Sequence, residues 1–193
     1  MKGVNIFLAD GFEDVEALAT NDVLRRGGVA VNLISIGEDP FVVSSHGITI
    51  GVEQFLPELT PDHKGTDKGD VMIFPGGMPG TRNLAACKPL IKAMKEHYKA
   101  GGTLAAICAA PGLVLGQLGD ELKGVEFTCF DGMQDGPLSF GAVFTPKPAV
   151  RCGRIITGRS AAHAIEFGLT ILEALKGSET AEKVRYSMFL DTI

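Results

Sequence analysis

The first 36 residues change hydrophobic period twice, and this alternation limits the possible folds more than any other feature. GVNIFLA (3–9) is a short apolar run rich in strand-forming residues. In residues 10–28 the apolar side chains recur at helical spacing, with acids in the first turn, two arginines in the last turn and two glycines at the end. VAVNLISI (29–36) is a second strand. A strand–helix–strand unit joins parallel strands, so the chain predicts a parallel sheet.

The rest of the chain continues this alternation. Strand-like segments lie at 70–77, 103–108, 125–130 and within 142–158, and helical segments at 83–102 with a break at Pro89, at 111–119, at 160–177 and at 179–190. Two short strands, at 41–45 and 47–52, predict an edge hairpin, and 53–69 predicts a loop or an irregular helix. Because no linker or internal repeat divides the chain, we predict one α/β domain over residues 1–193. Its sheet is doubly wound and mostly parallel, with helices on both faces.

Composition excludes several classes of protein. A chain of 193 residues with 45% hydrophobic content suits one domain with a filled core. The net charge is −5 with no block of like charge, so we expect neither a nucleic-acid surface nor a membrane partner. No apolar stretch approaches the ~20 residues of a spanning helix, and the N-terminal one is too short for a signal peptide. Four widely spaced cysteines without a C-x-x-C pair predict a reduced, cytoplasmic protein without structural disulfides or zinc.

Three strand ends predict the position of a ligand site. In doubly wound sheets, ligands bind outside the carboxyl ends of the strands. The segments that follow the strands here are Ala9–Glu16, Phe74–Met78 and Ile107–Pro111. Each combines small residues with a group that can bind or react.

Cys108 stands where an apolar strand meets a helix. Its neighbours Ala106, Ala109 and Ala110 are small, and Pro111 suits the first turn of a helix. This pattern is typical of a nucleophile elbow with alanines in place of the usual glycines. Unpaired N–H groups at a helix N-terminus are expected to lower the thiol pKa below about 8.5. The alternative is that Cys108 is a small buried hydrophobic residue.

The other two strand ends offer donors and an acid. Gly76 and Gly77 leave backbone N–H groups uncovered, which predicts either an oxyanion site or a simple tight turn. We assign Glu13 and Asp14 to stabilising the helix N-terminus. If Glu16 points into the cleft, desolvation will raise its pKa and it can act as a proton donor. The residues alone do not favour Glu16 over Glu13.

Four motifs together resemble the ThiJ/PfpI superfamily, and within it the branch of the Parkinson disease deglycase and its bacterial relatives. The motifs are GFEDVEAL, DVMIFPGGMPGTRNL, AAICAAPG and IITGRSAAHAIEFGLTILEAL, in the family's order over nearly the whole chain. The resemblance implies a flavodoxin-like sandwich with a small edge hairpin, and a homodimer. It also implies a reactive cysteine at Cys108. The family's glutamate, six residues before Asp22 and ten before Arg26, falls on Glu16. The backbone donors that it implies are Gly76, Gly77 and Ala109.

Two positions depart from the family pattern. Many relatives place a histidine about twenty residues after the cysteine, where this chain has Phe130, and this change removes the ordinary general base of a cysteine hydrolase. Relatives often have G-P-G before the late helix, where this chain has Ser160, Ala161 and Ala162. Possible accessory residues are His46, Phe130, Arg159 and His163.

The remaining histidines and cysteines are expected to be structural or solvated. His63 and His97 lie in polar surroundings, and we expect both to be solvated. We expect the other cysteines to be structural: Cys87, Cys129 and Cys152. No histidine pair has metal-ligand spacing, so we expect no metal, and the chemistry needs no cofactor.

The resemblance implies glyoxalase or deglycase activity on reactive dicarbonyls or on glycated thiols and amines, through a Cys108 thiolate and Glu16. A second hypothesis is an oxidative-stress sensor or chaperone in which Cys108 is oxidised to sulfinic acid. A third, disfavoured by the absence of the histidine, is an intracellular cysteine peptidase.

Overall fold

The computed structural model describes residues 1–52, 54–59 and 66–190. The strands are β1 Val4–Leu8, β2 Val31–Ser35, β3 Phe41–Val43, β4 Thr49–Gly51, β5 Gln54–Phe55, β6 Val71–Phe74, β7 Thr103–Ile107, β8 Glu126–Phe127, β9 Val143–Phe144, β10 Ala149–Cys152 and β11 Ile155–Gly158. The helices are α1 Asp14–Arg26, α2 Gly80–Ala86, α3 Lys88–Lys99, α4 Ala110–Leu113, α5 Asp135–Ser139, α6 Ala164–Lys176 and α7 Ser178–Ser187, with 3-10 turns at Leu56–Glu58, Leu115–Leu122 and Ala161–His163. None of these helices has the length and apolarity to cross a membrane.

Seven strands form the central sheet in the order β10-β11-β7-β6-β1-β2-β5. Every neighbouring pair is parallel except β10 and β11. The mostly parallel sheet predicted from the sequence is therefore confirmed. Because β6 lies between β1 and β7, the carboxyl ends of these three strands are neighbours, and the loops that follow them must meet.

The sheet separates two apolar cores, as alternate residues of β6 illustrate. Met72 and Phe74 face the core shared with α2, α3 and α4, whereas Val71 and Ile73 face the core shared with α1, α6 and α7. Phe7 of β1 stacks on Phe74 in the first core, with ring centroids 5.7 Å apart. Helices on both faces give the doubly wound sandwich that the sequence predicts.

Several boundaries differ from the predicted ones. The helix predicted at 83–102 is two helices, α2 and α3, which meet at Cys87 close to the predicted break. The hairpin β3–β4 forms its own two-stranded sheet, and the edge strand next to β2 in the central sheet is β5. The strand predicted at 125–130 is only Glu126–Phe127, paired with β9 outside the central sheet.

His97 is fully buried, so the prediction that it is solvated is wrong. Its Nδ1 bonds the N-terminal amine of Met1 at 2.7 Å, and its Nε2 lies 3.1 Å from the carbonyl oxygens of Asp70 and Thr103. His97 follows Leu90 and Met94 on the apolar face of α3, and its polar sequence neighbours lie on the other face. His63 lies outside the described residues.

We expect His97→Ala to lower the free energy of unfolding by about 3 kcal/mol, because it leaves a cavity and removes the partners of buried polar groups. Urea unfolding at neutral pH measures the change. His46→Ala is the control, because that side chain is 69% exposed, and we expect it to cost much less than His97→Ala. Equal losses in the two variants would show that the burial of His97 contributes nothing.

Candidate active site

Cys108 occupies a strained turn immediately after β7. Its φ is 64°, in the left-handed region that residues with a side chain seldom adopt. Its N–H donates to the Gly158 carbonyl at 3.0 Å, and its own carbonyl accepts from the Phe130 N–H at 2.8 Å. Two backbone hydrogen bonds therefore hold the turn in place. This is the strand-to-helix elbow that the sequence predicts.

Glu16 lies in the first turn of α1 and turns inward. Glu13 caps the helix, and its carboxylate accepts from the Glu16 N–H at 2.7 Å. The Glu16 residue is only 1% exposed, and its Oε2 accepts from the Gly76 N–H at 2.7 Å. Its Oε1 is buried and has no hydrogen-bond partner among the described residues. Of the two glutamates that the residue pattern left open, Glu16 is the buried one, and Glu13 has the capping role expected of it.

Gly76 is the point where the three loops meet. A Cβ at this position would lie 2.5 Å from Glu16 Oε2 and 2.6 Å from Cys108 Cβ, so no larger residue fits without moving one of them. The Gly76 N–H is already bonded to Glu16, and the prediction that it serves as an oxyanion donor is wrong. The backbone N–H groups that face the Cys108 sulfur are those of Gly77 and Ala109.

Burial raises the pKa of Glu16 to about 7. The Cys108 thiol and the Gly76 N–H act in the opposite direction and do not compensate for the lost hydration. The sequence-based expectation that desolvation would raise this pKa is confirmed. Near neutral pH the carboxyl group can therefore both give and take a proton.

The pKa of the Cys108 thiol is raised to about 12, so the expectation of a lowered pKa is wrong while Glu16 is ionised. Burial is the largest cause, and the negative charge of Glu16 adds to it. The Ala109 and Gly77 N–H groups lower the pKa but do not outweigh these effects. The helix that begins here, α4, has only four residues, so its dipole is small.

His46 is held by the outer surface of α1. Its Nδ1 bonds Asp14 Oδ2, which raises the pKa of the imidazole above its ordinary value. Ligand atoms of Glu13, Asp14 and His46 lie within 4.8 Å of one another, which is the spacing of a possible metal site. The helix cap and the ion pair account for this cluster without a metal ion.

The other predicted accessory residues differ in their relation to Cys108. Phe130 contacts it through the backbone, and its side chain is largely exposed. Arg159 forms an ion pair with Asp131 at 2.7 Å. His163 bonds Ser160 Oγ at 2.9 Å and borders a separate depression of about 360 Å³. A role in the site is therefore unsupported for Arg159 and His163.

Cys129 is fully buried, and burial raises its pKa to about 12, as expected of a structural thiol. Cys87 and Cys152 are half-buried free thiols.

The sequence did not reveal the role of Gly158, whose carbonyl oxygen accepts the Cys108 N–H and fixes the elbow. A backbone acceptor leaves no signal in residue type.

The fold and the elbow define a class of doubly wound α/β proteins with a cysteine at a strand-to-helix turn. The model of the DJ-1/PfpI family matches residues 2–174, and the chain belongs to this family.

Three related proteins illustrate the range of the family. "Protein DJ-1 homolog B" of Arabidopsis thaliana is 34% identical over 95% of this chain, which covers 40% of that protein. "Glutathione-independent glyoxalase DJR-1.2" of Caenorhabditis elegans is 31% identical over 86% of this chain and 84% of its own. The structure of oxidized DJ-1 from Toxoplasma gondii superposes with a TM-score of 0.86 at 27% identity, over 98% of both chains. The chain thus spans less than half the length of the plant relative.

Proposed function

We propose that this protein is a cofactor-independent enzyme that acts on reactive dicarbonyls, or on their thiol and amine adducts, through Cys108 and Glu16. The observation that carries the proposal is the buried Glu16 carboxyl beside the Cys108 elbow, with one oxygen fixed by Gly76 and the other without a partner. The name of the nematode relative, a glutathione-independent glyoxalase, supports the same chemistry.

In the reactive state, the Glu16 carboxyl group and the Cys108 thiol share one proton. Between pH about 7 and about 12 the pair carries one negative charge. If the charge lies on the carboxylate, the side-chain donor that faces it is the Cys108 thiol, and a thiol is a weak hydrogen-bond donor. If the proton lies on Oε1 and is donated to sulfur, the thiolate also accepts hydrogen bonds from the N–H groups of Gly77 and Ala109. We assign the reactive form to this second arrangement.

The chemistry follows from these positions. The Cys108 thiolate forms a C–S bond with the aldehyde carbon of methylglyoxal, and the carbonyl oxygen becomes an oxyanion near the Gly77 and Ala109 N–H groups. Glu16 gives this oxygen its proton, which yields a hemithioacetal. The Glu16 carboxylate then removes the proton from that carbon, and the neighbouring carbonyl oxygen is protonated, which gives an enediol. Glu16 returns its proton to the neighbouring carbon while the first hydroxyl loses its proton, so that a lactoyl thioester forms. Water cleaves the thioester to lactate, which releases the cysteine for another cycle.

Product analysis tests the function directly. We incubate the purified protein with methylglyoxal in a buffer without glutathione or any other thiol, and follow lactate by enzymatic assay and NMR. We expect one lactate for each methylglyoxal consumed, over many turnovers. Consumption that stops after one equivalent would show that the protein only scavenges the aldehyde by covalent capture.

A homodimer is proposed from the surface beside the site. Five exposed apolar side chains lie on α1 and on the β3–β4 hairpin: Val15, Leu18, Phe41, Val43 and Ile48. Exposed apolar patches mark surfaces that other proteins cover, and the resemblance names a second copy as the partner. Light scattering is expected to give twice the 20.3 kDa of one chain.

The free cysteines suit a reducing compartment, and we propose the cytoplasm.

A second candidate function is redox sensing at Cys108. The donors that face the thiolate would also bind the oxygens of a sulfinate, formed when two equivalents of peroxide each transfer one oxygen atom to sulfur and leave as water. The oxidized form of the Toxoplasma relative favours this possibility. Mass spectrometry after mild peroxide treatment should locate the added oxygen at Cys108. Equal oxidation of Cys87 and Cys152 would contradict selective sensing.

A further inference from the structure

Basic charge is concentrated on one helix of an acidic protein. Helix α3, Lys88–Lys99, contains four lysines and one glutamate, although the whole chain has a net charge of −5. In the sequence, Lys88, Lys92, Lys95 and Lys99 are separated by three or four residues and form no block. On α3 this spacing aligns them in one stripe, because residues three and four apart are neighbours on a helix surface.

The fold does not neutralise this stripe. Lys88, Lys95 and Lys99 form no ion pair with any residue in the described ranges, and Lys92 has only a long contact of 3.9 Å with Glu96. Like charges at this spacing repel one another, so they weaken the helix that carries them. Lys99 lies in the last turn, where a cation stabilises the helix dipole, but the stability of α3 does not account for Lys88 and Lys95.

A groove runs beside the stripe. It has a volume of about 420 Å³, and its floor is formed by Ala85, Ile91 and Gln117. The four lysines and the acidic Glu96 form its rim, and the methylene stems of the lysines add apolar surface. A second depression of about 430 Å³ shares Lys95 and Lys99 and continues toward Leu118, where Asp120 and Glu121 also line it. We call this surface, from Ala85 to Leu118 with its four lysines, the α3 groove.

We propose that the α3 groove binds an acidic amphipathic helix of a partner protein. The lysines span roughly 16 Å along α3, about three helical turns. A small anion would engage one or two ammonium groups, whereas carboxylates one turn apart on a second helix match the whole row. Apolar side chains next to those carboxylates would enter the groove, as in other helix-in-groove complexes. The charge complementarity and the length of the row favour this occupant.

The α3 groove is separate from the proposed catalytic pair. Helix α3 packs in the core on one face of the sheet, whereas α1, which carries Glu16 and the apolar surface proposed for dimerisation, packs on the opposite face. A partner in the groove would cover neither. The inference is therefore independent of the proposed function, and the far-UV circular dichroism spectrum serves as the measure of intact folding in each variant.

A synthetic peptide tests the proposal. The probe is a fluorescein-labelled helix of about 18 residues with glutamates at i, i+4, i+7 and i+11 and leucines beside them, long enough to span the row. Fluorescence anisotropy with the full chain should give saturable binding in the micromolar range. Raising NaCl from about 0.03 M to about 0.3 M should weaken it at least tenfold. A peptide of the same composition with its glutamates spread around the helix should bind at least about fivefold more weakly.

Charge variants locate the site. We expect Lys92→Glu with Lys95→Glu to weaken binding at least about tenfold, and the corresponding double glutamine variant at least about threefold. The matched control, Lys147→Glu with Lys176→Glu, changes exposed lysines elsewhere and should leave binding unchanged. The far-UV circular dichroism spectrum should be the same in all three. Equal weakening in the control, equal binding of the rearranged peptide, or binding only to vesicles rich in phosphatidylserine would overturn the proposal.

Discussion

Replacing Glu16 with glutamine is expected to lower kcat/KM for methylglyoxal by about 10²–10⁴-fold and, at pH 8, to raise the free energy of unfolding by about 2 kcal/mol. Glutamine keeps the acceptor for the Gly76 N–H but cannot give or take a proton. The two effects have opposite signs because the same buried acid is useful for chemistry and costly for stability. If Glu16 had a purely structural role, its replacement would instead lower the stability of the protein.

The sign of the stability change follows from the raised pKa. Burial raises the pKa of Glu16 from 4.5 in the unfolded chain to about 7, so the native state holds the extra proton between these values. The contribution of Glu16 to stability is therefore highest below pH 4.5 and falls as the pH rises to about 7. A shift of this size corresponds to about 3 kcal/mol, of which the poorly bonded amide offsets roughly 1 kcal/mol. Below pH 4.5 the stabilising effect should disappear.

Urea unfolding at pH 4 and pH 8, together with steady-state kinetics, measures both effects. Asp22→Asn is the matched control, because this exposed acid lies on the same helix and forms an ion pair with exposed Arg26. We expect its activity to be unchanged and its stability to differ by less than about 1 kcal/mol. Undiminished dicarbonyl turnover by the glutamine variant would show that Glu16 is not the proton carrier.

The second large effect is expected at the elbow itself. Cys108→Ser should lower turnover by at least about 10³-fold, because a hydroxyl does not ionise near neutral pH and the chain offers no histidine at Phe130 to activate it. The serine Oγ is close in size to sulfur, and the backbone bonds to Gly158 and Phe130 remain. The melting temperature should therefore change by only a few degrees.

Kinetics of Cys108→Ser and Cys152→Ser give the comparison. Cys152 is a half-buried free thiol on β10, and we expect its serine variant to keep full activity. If both variants keep the wild-type rate, the reaction takes place elsewhere on the protein. If both lose it equally, the loss reflects damage to the fold.

Much of the fold could be predicted because the hydrophobic period distinguishes strands from helices, and their alternation favours a parallel sheet. The segments after β1, β6 and β7 were predicted to form the site, and the order β7-β6-β1 brings them together. The same reasoning failed for His97, whose apolar neighbours Leu90 and Met94 were the correct signal and whose adjacent charged residues were not. A single domain over residues 1–193 stays a prediction.

The site was less predictable, because its properties depend on distances that no pattern encodes. The Gly76 N–H was expected to be a free donor, but the inward turn of Glu16 places an acceptor against it. The thiol pKa was expected to fall at a helix N-terminus, but burial and then the negative charge of Glu16 raise it, and α4 is too short to compensate. Both errors come from treating each strand end separately, although the chemistry depends on how closely their side chains approach one another.

The rate of Cys108 alkylation by iodoacetamide, followed by mass spectrometry from pH 4 to pH 11, tests the shared proton most directly. If the reactive pair has its proton on Glu16, the rate should rise with an apparent pKa near 7 and then reach a plateau. In Glu16→Gln the midpoint should move upward, because the thiolate loses its acidic donor. A wild-type rate that climbs without a plateau to pH 11, as a thiol with a pKa of about 12 would give, contradicts the account.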